Sequence, residues 1–132
     1  MKSIESQLAA IAKMTRSKGK EVFVASGIRV GNQIITGSPV DKGHFINNWN
    51  TSINSISYAS KPDNEGGSDS ITELNATFAS VEIGQAVTFN NPVVYGPRLE
   101  YDGWSQKAPN GFVRINADKW PEIVAEEVLK RR

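Results

Sequence analysis

Hydrophobic positions near the start of the chain recur at helical intervals. Ile4, Leu8, Ile11 and Thr15 are spaced three or four residues apart, which places them on one face of a helix. Ser3 ahead of them is a weak start signal. The polar run Arg16-Ser17-Lys18-Gly19-Lys20 predicts a break or kink, because a glycine inside a helix costs about 1 kcal/mol relative to alanine. A second helical stretch follows from about Lys20 to Ile35, with Phe23, Gly27, Val30 and Ile34 in one stripe and Val22 and Ile28 widening it. Gly27 and Gly31, one turn apart, predict close packing against a neighbouring strand in preference to a helix–helix contact. Gly37-Ser38-Pro39 closes the helix.

The period then changes to two. Phe45, Asn47, Trp49, Thr51 and Ile53 alternate with polar neighbours, the pattern of a half-buried strand, and the phase slips before Ile56 and Tyr58. Residues Lys61–Ser70 are loop in composition, with Asp69 or Ser70 placed to cap a short helix over Ile71–Ala79 that buries Ile71, Leu74 and Phe78. A second strand covers Ala86–Phe89 and ends at Asn90-Asn91-Pro92. Tyr95–Tyr101 is aromatic without a period, Gly103–Gly111 is loop, and Phe112–Ile115 is a short strand or the lead into a helix. The last helix spans about Asp118–Lys130, with Trp120, Ile123, Val124, Val128 and Leu129 inward. Pro121 and Glu122 suit its start, and Lys130-Arg131-Arg132 suits the negative end of its dipole. The elements predict an α+β fold in one domain over residues 1–132. It has a long N-terminal helix, kinked or split, a small antiparallel sheet, a short middle helix and a C-terminal helix.

Composition narrows the chemistry. Hydrophobic residues make up 39% and charged residues 22%, an ordinary globular balance. Lysine and arginine total 15 against 14 acidic residues, and a formal charge of +1 gives no support to sequence-independent nucleic-acid binding. No cysteine is present, which excludes a disulfide framework, a thiol nucleophile and a thiolate metal site. His44 is the one imidazole, so a zinc site would need carboxylates for every other ligand. Beyond Lys2 there is neither a signal-length apolar run nor a stretch of about 20 apolar residues for a membrane span, which leads to an expectation of synthesis and use in the cytoplasm.

His44 beside Asp41 could form an acid–base pair, although a lone histidine in a turn is more commonly a surface residue. Glu100 and Asp102, and Glu126-Glu127, have no spacing of a glycosidase pair or a metal cluster. Gly66-Gly67-Ser68-Asp69 lacks the lysine of a phosphate loop. The chain therefore reads as a non-enzyme without a cofactor or metal.

Two segments carry a resemblance. Ser38-Pro39-Val40-Asp41-Lys42-Gly43-His44-Phe45, followed by Asn48-Trp49, resembles the proline-valine-aspartate-x-glycine signature of tailed-bacteriophage neck and tail-completion (head–tail joining) proteins. Asn90-Asn91-Pro92, Tyr95-Gly96-Pro97-Arg98-Leu99-Glu100-Tyr101, Gly103-Trp104-Ser105 and Ala108-Pro109-Asn110-Gly111-Phe112-Val113-Arg114 are similar to that family's second conserved run, in the same order. The resemblance as a whole covers roughly Val22 to Val124, nearly the whole domain. The chain departs from the family pattern at His44 and Ile46, where arginines are common, and at Asp102, which looks inserted.

The resemblance implies a virion structural protein at the head–tail neck, assembled in the cytoplasm of the host bacterium. It would form a hexameric or dodecameric ring that meets portal or adaptor proteins on one side and tail-tube or terminator proteins on the other. Genomic DNA would pass the lumen without specific binding. The candidate interface residues are Pro39, Val40, Asp41, Gly43, His44, Arg98, Glu100, Tyr101, Trp104, Pro109 and Arg114. Trp104 is weighed evenly between interface and core, while Tyr95 and Trp49 are expected in the core. Two loops, Lys61–Ser70 and Asp102–Asn110, are candidates to order only on assembly. Rival readings are a tail terminator that caps the tube, a carbohydrate-binding module built on the three tryptophans and three tyrosines, and a hydrolase using His44.

Overall fold

The computed structural model describes residues 3–131; Met1, Lys2, Arg132 and the side chain of Ile11 lie outside the description. The fold is α+β. Helix α1 (Ile4–Gly37) leads through a 3-10 turn (Ile46–Asn48) to strand β1 (Asn50–Ile53). Helix α2 (Ser68–Ser80) and strand β2 (Val87–Asn90) follow, then helices α3 (Gly96–Tyr101), α4 (Val113–Ala117) and α5 (Trp120–Leu129). The two strands pair antiparallel, Asn50 opposite Asn90 and Ile53 opposite Val87. No helix among the described residues is long and apolar enough to cross a membrane.

Helix α1 is one uninterrupted element of 34 residues, about 50 Å long at 1.5 Å per residue. The break expected at Gly19 does not occur. Gly19 lies in open space, and a glycine lowers helix propensity without removing a hydrogen bond from the ladder. Ser3 caps the start by accepting from the Ser6 amide at 3.1 Å. At the other end Gly37 is the last helical residue and Ser38 is the extended cap. The buried Ser38 hydroxyl donates to Ile34 O at 2.8 Å and accepts from the Trp49 indole N–H at 2.9 Å. One hydroxyl thus closes the helix and satisfies the ring nitrogen of a core tryptophan.

The core gathers Ile34 and Ile35 from α1, Phe45, Ile46 and Trp49 from the segment after it, Leu74 and Phe78 from α2, and Phe112. Trp49 stacks on Phe89 of β2 with ring centroids 4.6 Å apart, while Phe45 meets Phe112 edge-on at 5.6 Å. Gly27 and Gly31 pack against α2 and not against a strand. A Cβ on Gly27 would lie 2.3 Å from the Phe78 ring, and one on Gly31 would lie 2.6 Å from Leu74. The two glycines let the α1 and α2 backbones approach with those side chains lying across them. Gly27→Ala should therefore destabilise by about 1–3 kcal/mol through overpacking, read as a lower urea midpoint.

The strand expected over Phe45–Tyr58 shrinks to Asn50–Ile53. Its alternation arises because Asn47 and Asn48 are buried hydrogen-bonding residues, not solvent-facing ones. The Asn47 side-chain oxygen accepts from the amides of Asp69 and Ser70 at 2.9 and 3.2 Å. The start of α2 is therefore capped from a distant segment, and neither Asp69 nor Ser70 serves as the cap; Gly67 takes that position with φ 65°. Asn48 accepts from the Lys61 amide at 2.8 Å, and Asn50 donates to Ser57 O and Ala59 O. The Lys61 ammonium reaches Trp49 O at 2.7 Å and Glu73 at 3.3 Å. These bonds tie the Lys61–Ser70 loop to the body, although its composition reads as a candidate for disorder.

In α5, Ile123 is buried as expected, whereas Val128 and Leu129 are exposed. Their inward place is taken by Glu127, which binds Arg131 at 2.8 Å, Lys130 at 3.1 Å and Arg29 of α1 at 3.5 Å. Its hydrogen bonds to Arg131 and Lys130 hold the carboxyl below the usual range against the opposing effect of burial.

Candidate functional site

The chain leaves α1 through Pro39 and turns sharply. Lys42 (φ 63°) and Gly43 (φ 80°) are both left-handed, which reverses the backbone within two residues. Gly43 O accepts from the Asn64 amide at 3.0 Å, and a Cβ on Gly43 would sit 2.1 Å from the Asn64 carbonyl carbon. Only glycine fits where these two loops cross. His44 pairs with Asp63 at 3.0 Å, not with Asp41, and both side chains are about half exposed.

This turn forms one wall of a groove of about 420 Å³. Pro39, Val40 and Asp41 line one side, Tyr95, Leu99 and Trp104 the other, and buried Phe45 lies between them. Short helix α3 presents the second wall. Asn91 positions the approach to it by donating to Phe45 O at 2.9 Å and accepting from the Val93 amide at 3.1 Å. Tyr95 is 39% exposed at the rim, and Trp104 is 58% exposed. Partial burial, with Asp63 and Asp41 nearby, pushes the Tyr95 phenol above its ordinary range, so the hydroxyl is neutral at physiological pH. The Arg98 guanidinium lies 4.6 Å over the Trp104 ring.

A second cluster holds this region together. Glu100 of α3 is buried against the start of α4 and accepts from the amides of Phe112 (2.6 Å), Val113 (3.0 Å) and Arg114 (2.8 Å). The Arg114 side chain adds a bond to the same carboxylate at 3.0 Å and another to Glu100 O at 2.9 Å. Its guanidinium also covers the exposed Tyr101 ring at 4.4 Å. Burial alone would raise the Glu100 pKa, but the three amides and Arg114 outweigh it and hold the carboxyl below its usual range. Lys107 fastens the Asp102–Asn110 loop to the end of α1, donating to Thr36 O at 3.0 Å and Ser38 O at 2.9 Å.

The sequence candidates thus divide by position. Pro39, Val40, Asp41 and Trp104 line one groove, with Arg98 stacked at its edge. Gly43 and His44 lie behind it in the turn. Glu100, Tyr101 and Arg114 form the bracing cluster, and exposed Pro109 crosses Gly103, where a Cβ would lie 2.7 Å from Pro109 O. Trp49 is in the core, whereas Tyr95 is at the groove rim. Sequence reasoning missed Leu99, Ser105 and the anchoring Lys107. The first two stand in a stretch with no period, and a lysine's carbonyl partners leave no trace in sequence.

No family model matches the chain, and no curated protein or solved structure is similar to it. Among the described residues, no cluster of three or more His, Asp or Glu side chains is arranged to hold a metal.

Proposed function

We propose that this chain is a structural virion subunit of a tailed bacteriophage, assembling into a ring at the neck that joins the head connector to the tail tube. The observation carrying the reading is that the two motif segments meet. Pro39–Asp41 and Tyr95–Trp104, far apart in sequence, face each other across one exposed groove. Around a closed ring the contacts are heterologous, so each subunit needs a receptor surface distinct from the surface it inserts. A concave aromatic groove with a proline-stiffened wall suits the receptor side, since aromatic and arginine residues concentrate binding energy at interfaces. Portal or adaptor proteins and tail-tube or terminator proteins are the partners on the two faces of such a ring. A net charge of +1 is compatible with DNA sliding through the lumen unheld.

A tail terminator is the alternative within the same class. A carbohydrate platform is disfavoured because Trp49 is core and the exposed Trp104 and Tyr101 rings are each covered by a guanidinium. A hydrolase is disfavoured because His44 pairs with an exposed carboxylate outside the groove.

Two tests address this reading. Gold labelling of a tagged copy in purified virions should decorate the head–tail junction; label at the tail tip, or none on virions, would refute it. Val40→Asp and Trp104→Ala should leave folding within about 1 kcal/mol of wild type, since both side chains are substantially exposed. Each should weaken subunit binding by about 2 kcal/mol or more, a loss above about tenfold in virion incorporation.

A further inference from the structure

Lys61, Asn50 and Glu73 meet where the loop before α2 passes the start of β1. The Lys61 amine Nζ donates to the Asn50 side-chain oxygen Oδ1 at 2.5 Å and to Glu73 Oε1 at 3.3 Å. With a C=O bond of about 1.23 Å, the Asn50 carboxamide carbon Cγ can lie no more than about 3.7 Å from that amine, at or near the contact from which attack on a carbonyl proceeds.

All three groups are held in place. Asn50 Nδ2 donates to Ser57 O at 3.1 Å and to Ala59 O at 3.0 Å, which fixes the carboxamide with its oxygen toward Lys61. Glu73 Oε1 accepts from the Thr51 amide at 2.8 Å. Lys61 is anchored through its own backbone amide to Asn48 and through Nζ to Trp49 O. Asn50 is fully buried and the Lys61 side chain is 13% exposed, so water competes poorly for the carboxamide. An amine nucleophile, a carbonyl carbon bearing a nitrogen that can leave, and a carboxylate to carry the proton are the parts that amide exchange requires. Among the described residues no other lysine amine meets a side-chain amide.

We propose that the folded chain joins Lys61 to Asn50 by an isopeptide bond. The Lys61 ammonium gives one proton to Glu73, and the freed lone pair of Nζ attacks Asn50 Cγ. Glu73 passes that proton to Nδ2 and takes a second one from Nζ. The Cγ–Nδ2 bond breaks, ammonia leaves, and it carries the second proton away as ammonium. The sum is a primary ammonium plus a carboxamide giving a secondary amide plus ammonium, with no electron transferred and no other reactant. The bond staples positions 11 residues apart and fixes to the strand the loop that Gly43 crosses at Asn64. It assigns no role to the chain, so it stands or falls separately from the neck reading.

The mass of the intact chain, measured after denaturation, tests it. The wild type should weigh about 17 Da less than the 14.4 kDa its sequence gives, the loss of one ammonia. Chymotryptic cleavage after Tyr58, between the two positions, should leave Asn50 and Lys61 on one branched species. Lys61→Arg keeps the charge but removes the attacking amine, and should show its full sequence mass. Glu73→Gln keeps an acceptor for the Thr51 amide but cannot take the proton, and should also show its full mass. A wild type of full mass after prolonged incubation in the folded state would overturn the proposal. A deficit that persists in Lys61→Arg would overturn it too, because it would mark ammonia lost at another asparagine. A deficit that persists in Glu73→Gln would overturn the part given to the carboxylate.

Discussion

Glu100→Ala should lower stability by about 3–4 kcal/mol. The carboxylate serves three backbone amides and the Arg114 side chain at once. Truncation strands those donors in a part-buried site, and each unmade bond to a buried group costs about 1–3 kcal/mol, reduced here where water reaches the half-exposed Arg114. The urea midpoint should fall by more than about 1 M. The same residue sets an acid limb. Its folded pKa lies below the unfolded value, so its contribution is complete above about pH 4.3 and is lost as pH falls through the folded value. Glu100→Gln keeps the shape, removes the charge and should flatten stability against pH in that window. An unchanged acid limb in the glutamine variant would contradict this assignment.

Gly43→Ala should cost a similar amount by a different route. The position is left-handed, worth about 1–2 kcal/mol against a Cβ, and the new methyl would meet the Asn64 and Glu65 backbone at 2.1–2.4 Å. Backbone cannot rotate aside as a side chain can, so the overpacking cost of about 1–3 kcal/mol applies in full. The displaced loop also carries Lys61 and the start of α2, so near-ultraviolet signals from Trp49 should change along with the melting temperature. Lys42→Gly, at the neighbouring left-handed residue, is the control and should stabilise by up to about 1 kcal/mol. If Gly43→Ala melts like the wild type, the crossing of the two loops is misdescribed.

Where periodicity was sustained, the fold was legible. Residues 20–35, the Leu74–Phe78 stripe and the strand ending at Asn90 stand where their spacing places them. Periodicity failed wherever a polar residue occupied the interior. Asn47 imitates one step of a strand because it is buried to cap α2, and Glu127 replaces an apolar position in α5 because three cations neutralise it. It also failed in α3 and α4, whose six and five residues are too few to display a helical period. Gly19 does not break α1, since its cost is spread over a 34-residue helix. At the site, the motif segments were readable but their meeting was not. Composition carries no information that Val40 and Trp104 share a groove, or that Glu100 faces inward to amides and not outward to a partner.

The most direct test of the neck assignment is electron microscopy of a phage lysate in which this gene carries an early stop codon. The account predicts filled heads beside separate tails of normal length; tails of uncontrolled length would mean termination in place of joining, and intact infectious particles would contradict the virion role altogether.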